Sequence, residues 1–195
     1  MTRPRRLALL AAAVLALLLV LDQLFPPPMP PEGRGTVALA KDGTPLRTYP
    51  SPDGVWRQPV TPADVSPLYL QALLGYEDRW FRWHQGINPV ALLRAGMQWI
   101  QSGRVVSGGS TLTMQVARIV DPPPRGQQRA LRSKLRQMLR ALQLELRLSK
   151  DEILTIYLNH APMGGIVEGV EMASRAYLGK PSRHLSHAEA AMLAA

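Results

Sequence analysis

Hydrophobic and polar positions change their spacing twice along this chain. From Leu7 to Leu21 the sequence is apolar without a break, with Arg3, Arg5 and Arg6 ahead of it and Asp22 and Gln23 behind. Fifteen residues of helix rise about 22 Å, short of a hydrocarbon core of roughly 30 Å. Adding Leu24 and Phe25 brings the stretch close to a span, with the arginines snorkelling at one end. A cleaved signal peptide has a hydrophobic region of similar length, but Leu21 to Pro26 offers none of the small residues at alternate positions that a cleavage site needs. Three flanking arginines also argue against a buried core helix. The expectation for residues 1–25 is therefore an uncleaved anchor, its basic end held in the cytoplasm and the rest of the chain sent across.

Eleven of the 18 prolines fall between Pro26 and Pro67. That composition favours an extended spacer with short, turn-bounded strands over residues 26–65. Thr36 to Ala40, followed by Lys41-Asp42-Gly43-Thr44, reads as a strand running into a turn. From Ser66 the spacing becomes helical. Pro67 suits a first turn, and Leu70, Leu73 and Leu74 line one face up to Glu77. Further helices are expected over 89–102, 112–120, 127–148, 150–159, 165–177 and from 187 onward. No internal repeat is visible. The last helix breaks off at Ala195 without a cap, as in a domain whose chain continues. The fold class expected is mainly α, with residues 66–195 as an incomplete helical domain.

Composition narrows the chemistry. With 46% hydrophobic and 19% charged residues, the chain is too apolar for a disordered basic tail. The absence of Cys excludes a disulfide framework, a thiol nucleophile and Cys-ligated metal. A formal charge of +9 suits a polyanionic partner: nucleic acid, an anionic membrane surface or a phosphate-bearing substrate. The charge is concentrated. Eight basic and two acidic residues lie between Arg118 and Arg147, a net +6 of the +7 that remains outside residues 1–25. Arg125, Arg129, Arg132, Arg136 and Arg140 form one stripe of a helix, solvated or facing a membrane. Leu131, Leu135, Met138, Leu142 and Leu146 form the stripe expected to be buried. Lys134 lies off the arginine row, where it can point into a cleft.

Three shorter motifs carry candidate chemistry. In Glu77-Asp78-Arg79-Trp80-Phe81-Arg82-Trp83-His84-Gln85-Gly86, helical spacing would put Glu77, Phe81 and His84 on one face. A carboxylate beside large aromatics suits proton transfer; the alternative is a solvated acidic pair beside core-packing rings. Gly108-Gly109-Ser110-Thr111-Leu112-Thr113-Met114-Gln115 suggests an anion-binding turn at a helix start, or an ordinary loop with a capping hydroxyl. It is not a Walker loop, because no Lys follows the second Gly. Lys150 to Asn159 reads as an amphipathic helix capped by Ser149, with acids in its first turn.

Singly these signals are weak, but in order and spacing they resemble the peptidoglycan glycosyltransferase domain (glycosyltransferase family 51) of class A penicillin-binding proteins. The resemblance runs from about Thr36 to the last residue. It rests on Glu77-Asp78, Phe81, His84 and Gly86, on Gly108 to Gln115, and on Lys150, Glu152-Ile153-Leu154 and Tyr157-Leu158-Asn159. Tyr177-Leu178-Gly179-Lys180 and Leu185-Ser186 with Glu189-Ala190-Ala191 extend it. It implies a lysozyme-like helical fold on the outer side of the bacterial cytoplasmic membrane. The substrates implied are lipid II and the growing glycan strand. Glu77 would be the general base, with inversion at the donor's anomeric carbon and release of polyprenyl diphosphate. Asp78, His84, Ser110, Thr111, Gln115, Arg118, Lys134 and Gln137 would bind substrate and diphosphate. A divalent cation (Mg2+ or Mn2+) can assist at the diphosphate; no metal ligands are assigned. Other cell-wall synthesis proteins are possible partners, and nucleic acid is not.

One departure stands out. The family's third motif usually reads Arg-Lys-x-x-Glu, and here those places hold Ser133, Lys134 and Gln137. An amide cannot carry the negative charge of the usual second carboxylate, which leaves Glu77 as the single strong acid/base candidate. No Ser-x-x-Lys motif occurs, so penicillin binding is not assigned to these residues. Two rivals remain: a lysozyme-type lytic enzyme using Glu77 as acid, which needs no diphosphate cradle, and a non-catalytic basic membrane protein, which explains the charge but not Glu77 and the glycine loop.

Overall fold

The computed structural model describes residues 5, 13, 19–20, 22–30, 35–42, 45–102, 109–124, 126 and 131–195. Most of the expected anchor lies outside these residues, as do Gly108, Arg125, Arg129 and the expected helical start at 127–130. Among the described residues no helix is long and apolar enough to cross a membrane.

The architecture is mainly helical. A two-stranded antiparallel ribbon, β1 (Thr36–Leu39) and β2 (Pro45–Tyr49), precedes α1 (Pro67–Glu77), α2 (Pro89–Ser102), α3 (Leu112–Val120), α4 (Leu131–Arg147) and α5 (Lys150–His160). A small hairpin follows, β3 (Pro162–Gly164) and β4 (Val167–Glu168), then α6 (Val170–Leu178) and α7 (His187–Ala194). The hairpin occupies the start of the helix expected over 165–177, which begins only at Val170. Gly164 (φ 119°), Gly165 (φ 56°) and Gly169 (φ 79°) hold backbone conformations that exclude helix there. Capping boxes open α5, through Ser149 and Glu152, and α7, through Ser186 and Glu189.

Helix α3 is the centre of the core. Leu112, Thr113, Met114, Val116, Ala117 and Val120 are all buried, packed among Tyr69 and Leu73 of α1, Ala141 and Leu144 of α4, and Ile153, Leu154 and Leu158 of α5. Contacts cross the expected boundary at residue 65. Trp56 exchanges backbone hydrogen bonds with Ile166 and Glu168 at 2.8 and 3.0 Å. Asn159 holds Val60 from both ends of its amide: Oδ1 accepts from the Val60 N–H at 2.7 Å, and Nδ2 donates to the Val60 carbonyl at 2.8 Å.

Helix α4 is turned the other way from expectation. Leu131, Leu135, Leu142 and Leu146 are exposed, by 75, 51, 38 and 70%, Met138 is half-buried, and the face packed inward carries Ser133, Ala141 and Leu144. Small side chains let α4 approach α3 closely, which a leucine row would prevent. Leu139 joins the outward row, and Val90, Leu93, Met97 and Ile100 make a similar exposed stripe on α2.

Candidate active site

Helix α1 ends at Glu77, so Glu77, Phe81 and His84 do not share a helix face. Asp78 (φ −159°, ψ 78°) leaves helical geometry and residues 79–83 form turns. The cause is the Asp78 carboxylate, which is buried and accepts from His84 Nε2 at 2.9 and 3.0 Å and from the Leu112 N–H at 2.9 Å. Those bonds tie the turn to the start of α3. Phe81 is fully buried, with the Lys150 ammonium 4.6 Å from its ring centre. Lys150 also reaches the His84 carbonyl and Glu145, both at 2.6 Å. At Gly86 (φ 77°) the turn presses on α4: a Cβ there would lie 2.8 Å from the Ala141 carbonyl oxygen.

Thr111 caps α3, accepting from the Met114 N–H at 3.1 Å and donating to the Gly86 carbonyl at 2.6 Å. The largely buried α3 leaves Gln115, Arg118 and Ile119 uncovered, one stripe at i, i+3 and i+4. Gln115 donates its amide to Glu77 Oε2. From α4, Lys134 donates to Ser110 Oγ at 2.5 Å. Burial, and secondly the nearby Arg118 charge, hold the Lys134 ammonium below its ordinary pKa.

Two cavities meet at Gln115 and Arg118. The larger, about 650 Å³, is lined by Glu77, Asp78, Arg79, Trp80, Asn88 and Arg94 among others, together with Ser110 and Thr111. The smaller, about 390 Å³, is lined by Ile119, Pro122, Tyr157, His160, Pro162 and Glu168. Burial and then the Glu77 charge push the Tyr157 hydroxyl up to about 12, so it stays protonated at neutral pH. Burial, then the Arg57 charge, lowers the His160 pKa.

Of the residues expected at the site, Glu77, Ser110, Thr111, Gln115 and Arg118 line the cleft, while Lys134 lines neither cavity and joins its wall through the hydrogen bond to Ser110. Asp78 contributes to its wall while its carboxylate faces inward to His84. His84 and Gln137 line neither cavity. Sequence reasoning missed Arg79, Arg94, Tyr157 and His160 as cleft residues. Tyr157 stood inside a motif already singled out, but α5's periodicity alone does not show that it faces Glu77. Among the described residues, no three His, Asp or Glu side chains converge as a cation site. The Asp78 oxygens are already taken by His84 and the Leu112 N–H, and so are not open to a Mg2+ or Mn2+ beside Glu77.

A family model described as transglycosylase matches residues 42–195. The chain is 56% identical over 173 residues to penicillin-binding protein 1C of Escherichia coli K12, an alignment covering 89% of this chain and 22% of that protein. It is 40% identical over 158 residues to penicillin-binding protein 1A of Pseudomonas aeruginosa, covering 77% and 19%. It is 32% identical over 188 residues to penicillin-binding protein 2D of Bacillus subtilis, covering 96% and 26%. The chain thus spans about a fifth to a quarter of the length of these curated relatives. With the Glu77 carboxylate set against a cationic cleft and the family model covering most of the chain, the protein belongs to the transglycosylase family, as a glycosyltransferase domain of the class A penicillin-binding protein kind.

Proposed function

We propose that the cleft polymerises lipid II into glycan strands. The observation that carries this reading is the Glu77 carboxylate, held by Gln115 in a cleft lined by Ser110 and Arg118, with Lys134 bonded to Ser110. Glu77 takes the proton from the acceptor sugar's 4-hydroxyl as that oxygen bonds to the donor's anomeric carbon. The bond from that carbon to the diphosphate oxygen breaks, with inversion, and the electron pair leaves on the polyprenyl diphosphate. Lys134 and Arg118 stabilise the charge developing there. A lytic enzyme would need no such cations around its leaving group. Asp78 and His84 act from behind, keeping the turn after Glu77 against α3. A divalent cation would arrive with the diphosphate; among the described residues no cluster of His, Asp and Glu makes a cage for it.

The same reading places the domain against the outer leaflet of the cytoplasmic membrane, tethered through residues 1–25. The exposed leucines of α4 and the stripe on α2 would rest at the lipid boundary. A lipid substrate could then reach the cleft without leaving the bilayer. The test is lipid II polymerisation by the full chain, with and without a chelator. Glu77→Gln is expected to lower turnover by about 10²–10⁴-fold. Full polymerisation by that variant would remove Glu77 as base, and no polymer from the parent chain would remove the assignment of activity to this segment.

A further inference from the structure

Asp121 ends α3, its N–H bonded to the Ala117 carbonyl at 3.0 Å. Its carboxylate reaches across to α4. Oδ1 accepts from Arg136 Nη2 at 2.6 Å, and Oδ2 accepts from Arg136 Nε at 2.9 Å and Arg140 Nε at 2.8 Å. Asp121 follows Arg118 by three residues, so this grip holds the end of the helix that carries Arg118 and Gln115 into the cleft. Lys134 projects from α4, the helix being gripped.

Arg140 has a second attachment. Its Nη1 donates to the Phe25 carbonyl and to Gln143 Oε1, both at 2.7 Å. Gln143 Nε2 donates to Asp22 Oδ1 at 2.9 Å and to the Phe25 carbonyl at 3.1 Å. Arg147 Nη2 closes the set on the Asp22 carbonyl and Oδ2 at 2.8 and 2.6 Å. Arg136, Arg140, Gln143 and Arg147 step by 4, 3 and 4 along one side of α4, next to its exposed leucines. Asp22 is 8% exposed although it ends the apolar run. A continuous line of hydrogen bonds therefore joins residues 22–25 to the end of α3.

We infer that Arg140 and Asp121, with Asp22 at the far end, are positioning residues that fix the height of the cleft relative to the membrane. This rests on the glycosyltransferase and anchoring readings above. A diphosphate on a polyprenyl chain lies at a depth set by the bilayer, and misplacing a catalytic group by about 1 Å can cost on the order of 10²-fold. A substrate without a long lipid imposes no such depth. Arg140 contacts both ends of the line, whereas Arg136 is half exposed and among the described residues bonds only Asp121.

The experiment compares the full chain in liposomes, acting on long-chain lipid II, with the same chain acting on a short-chain, water-soluble lipid II analogue. Asp22→Ala and Arg140→Ala are each expected to lower turnover of the bilayer substrate about tenfold, with less than about a twofold effect on the soluble one. Arg132→Ala, exposed on the same helix and outside the line, should have little effect on either substrate. Equal losses on both substrates would reduce Arg140 to a fold-stabilising residue, and unchanged rates on both would remove the brace. A second readout is independent of turnover. The chain has no cysteine, so Val90→Cys takes one fluorophore whose bilayer depth can be read with lipid-borne quenchers. Arg140→Ala should shift or broaden that depth, and an unchanged profile overturns the inference. A parent chain that turns over neither substrate but shows the depth shift would overturn only the glycosyltransferase reading.

Discussion

Helices α3 and α4 lie side by side and use opposite halves of themselves. On α3 the apolar residues face in, and Gln115 and Arg118 are left for the cleft. On α4 the leucines face out, and Ser133, Ala141 and Leu144 face α3. Both helices are strongly two-sided in sequence. Two-sidedness says that the environments differ, not which of them is the protein interior. A water-soluble domain would turn its leucines inward; a domain resting on lipid has a second apolar medium available, and close helix packing then favours small residues.

The contrast can be broken most directly by truncating one leucine from each helix. Leu112→Ala, at a position with no exposure, should cost about 2–5 kcal/mol in denaturant unfolding. Leu135→Ala, 51% exposed, should stay within about 0.5 kcal/mol in detergent-free buffer. Similar costs would mean that the leucines of α4 are buried after all. The next effect is on chemistry. Lys134→Ala should lower kcat/KM by about 10²-fold, while Arg132→Ala, exposed on the same helix, should change it less than about twofold. Because Lys134 loses its proton below the ordinary lysine value, turnover should fall as pH rises through that lowered value.

Thr111→Ala removes the cap of α3 and should cost about 1 kcal/mol, read as a lower melting temperature. The smallest effect lies at the seam between the helices. Burial alone would raise the Asp121 pKa, but hydrogen bonds and charge from Arg136 and Arg140 outweigh it and leave it lowered. A lowered carboxylate stabilises above its unfolded pKa, near 3.8, and that contribution is lost as pH falls toward the folded value. Asp121→Asn should therefore lower stability by a constant amount at neutral and alkaline pH and flatten the acid side of the profile.

What could be read from the sequence was local. The bounds of α2 and α3, and the Ser149 cap of α5, follow from spacing and capping residues a few positions apart. The candidate site was readable as residue types in order, because the resemblance supplied their relation. What stayed hidden was decided between distant segments. Gln115 meets Glu77 and Lys134 meets Ser110 across 38 and 24 positions. His84 was assigned to substrate and instead bonds Asp78, because the turn after Glu77 closes on itself. The inward face of α4 was misjudged because the hydrophobic pattern carries no information about what lies outside the protein.

The close approach at Gly86 sets a limit on mutational tolerance. With a Cβ placed 2.8 Å from the Ala141 carbonyl oxygen, any side chain at 86 must drive α4 outward, and no substitution at 141 relieves the clash because every residue carries that carbonyl. Because α4 carries Lys134 on one margin and its outward leucines on another, such a displacement would, under the proposed function, disturb substrate handling and membrane seating together. A saturation library should therefore show position 86 held to glycine whatever residue stands at 141. A residue with no chemistry of its own would then restrict how far this site can drift.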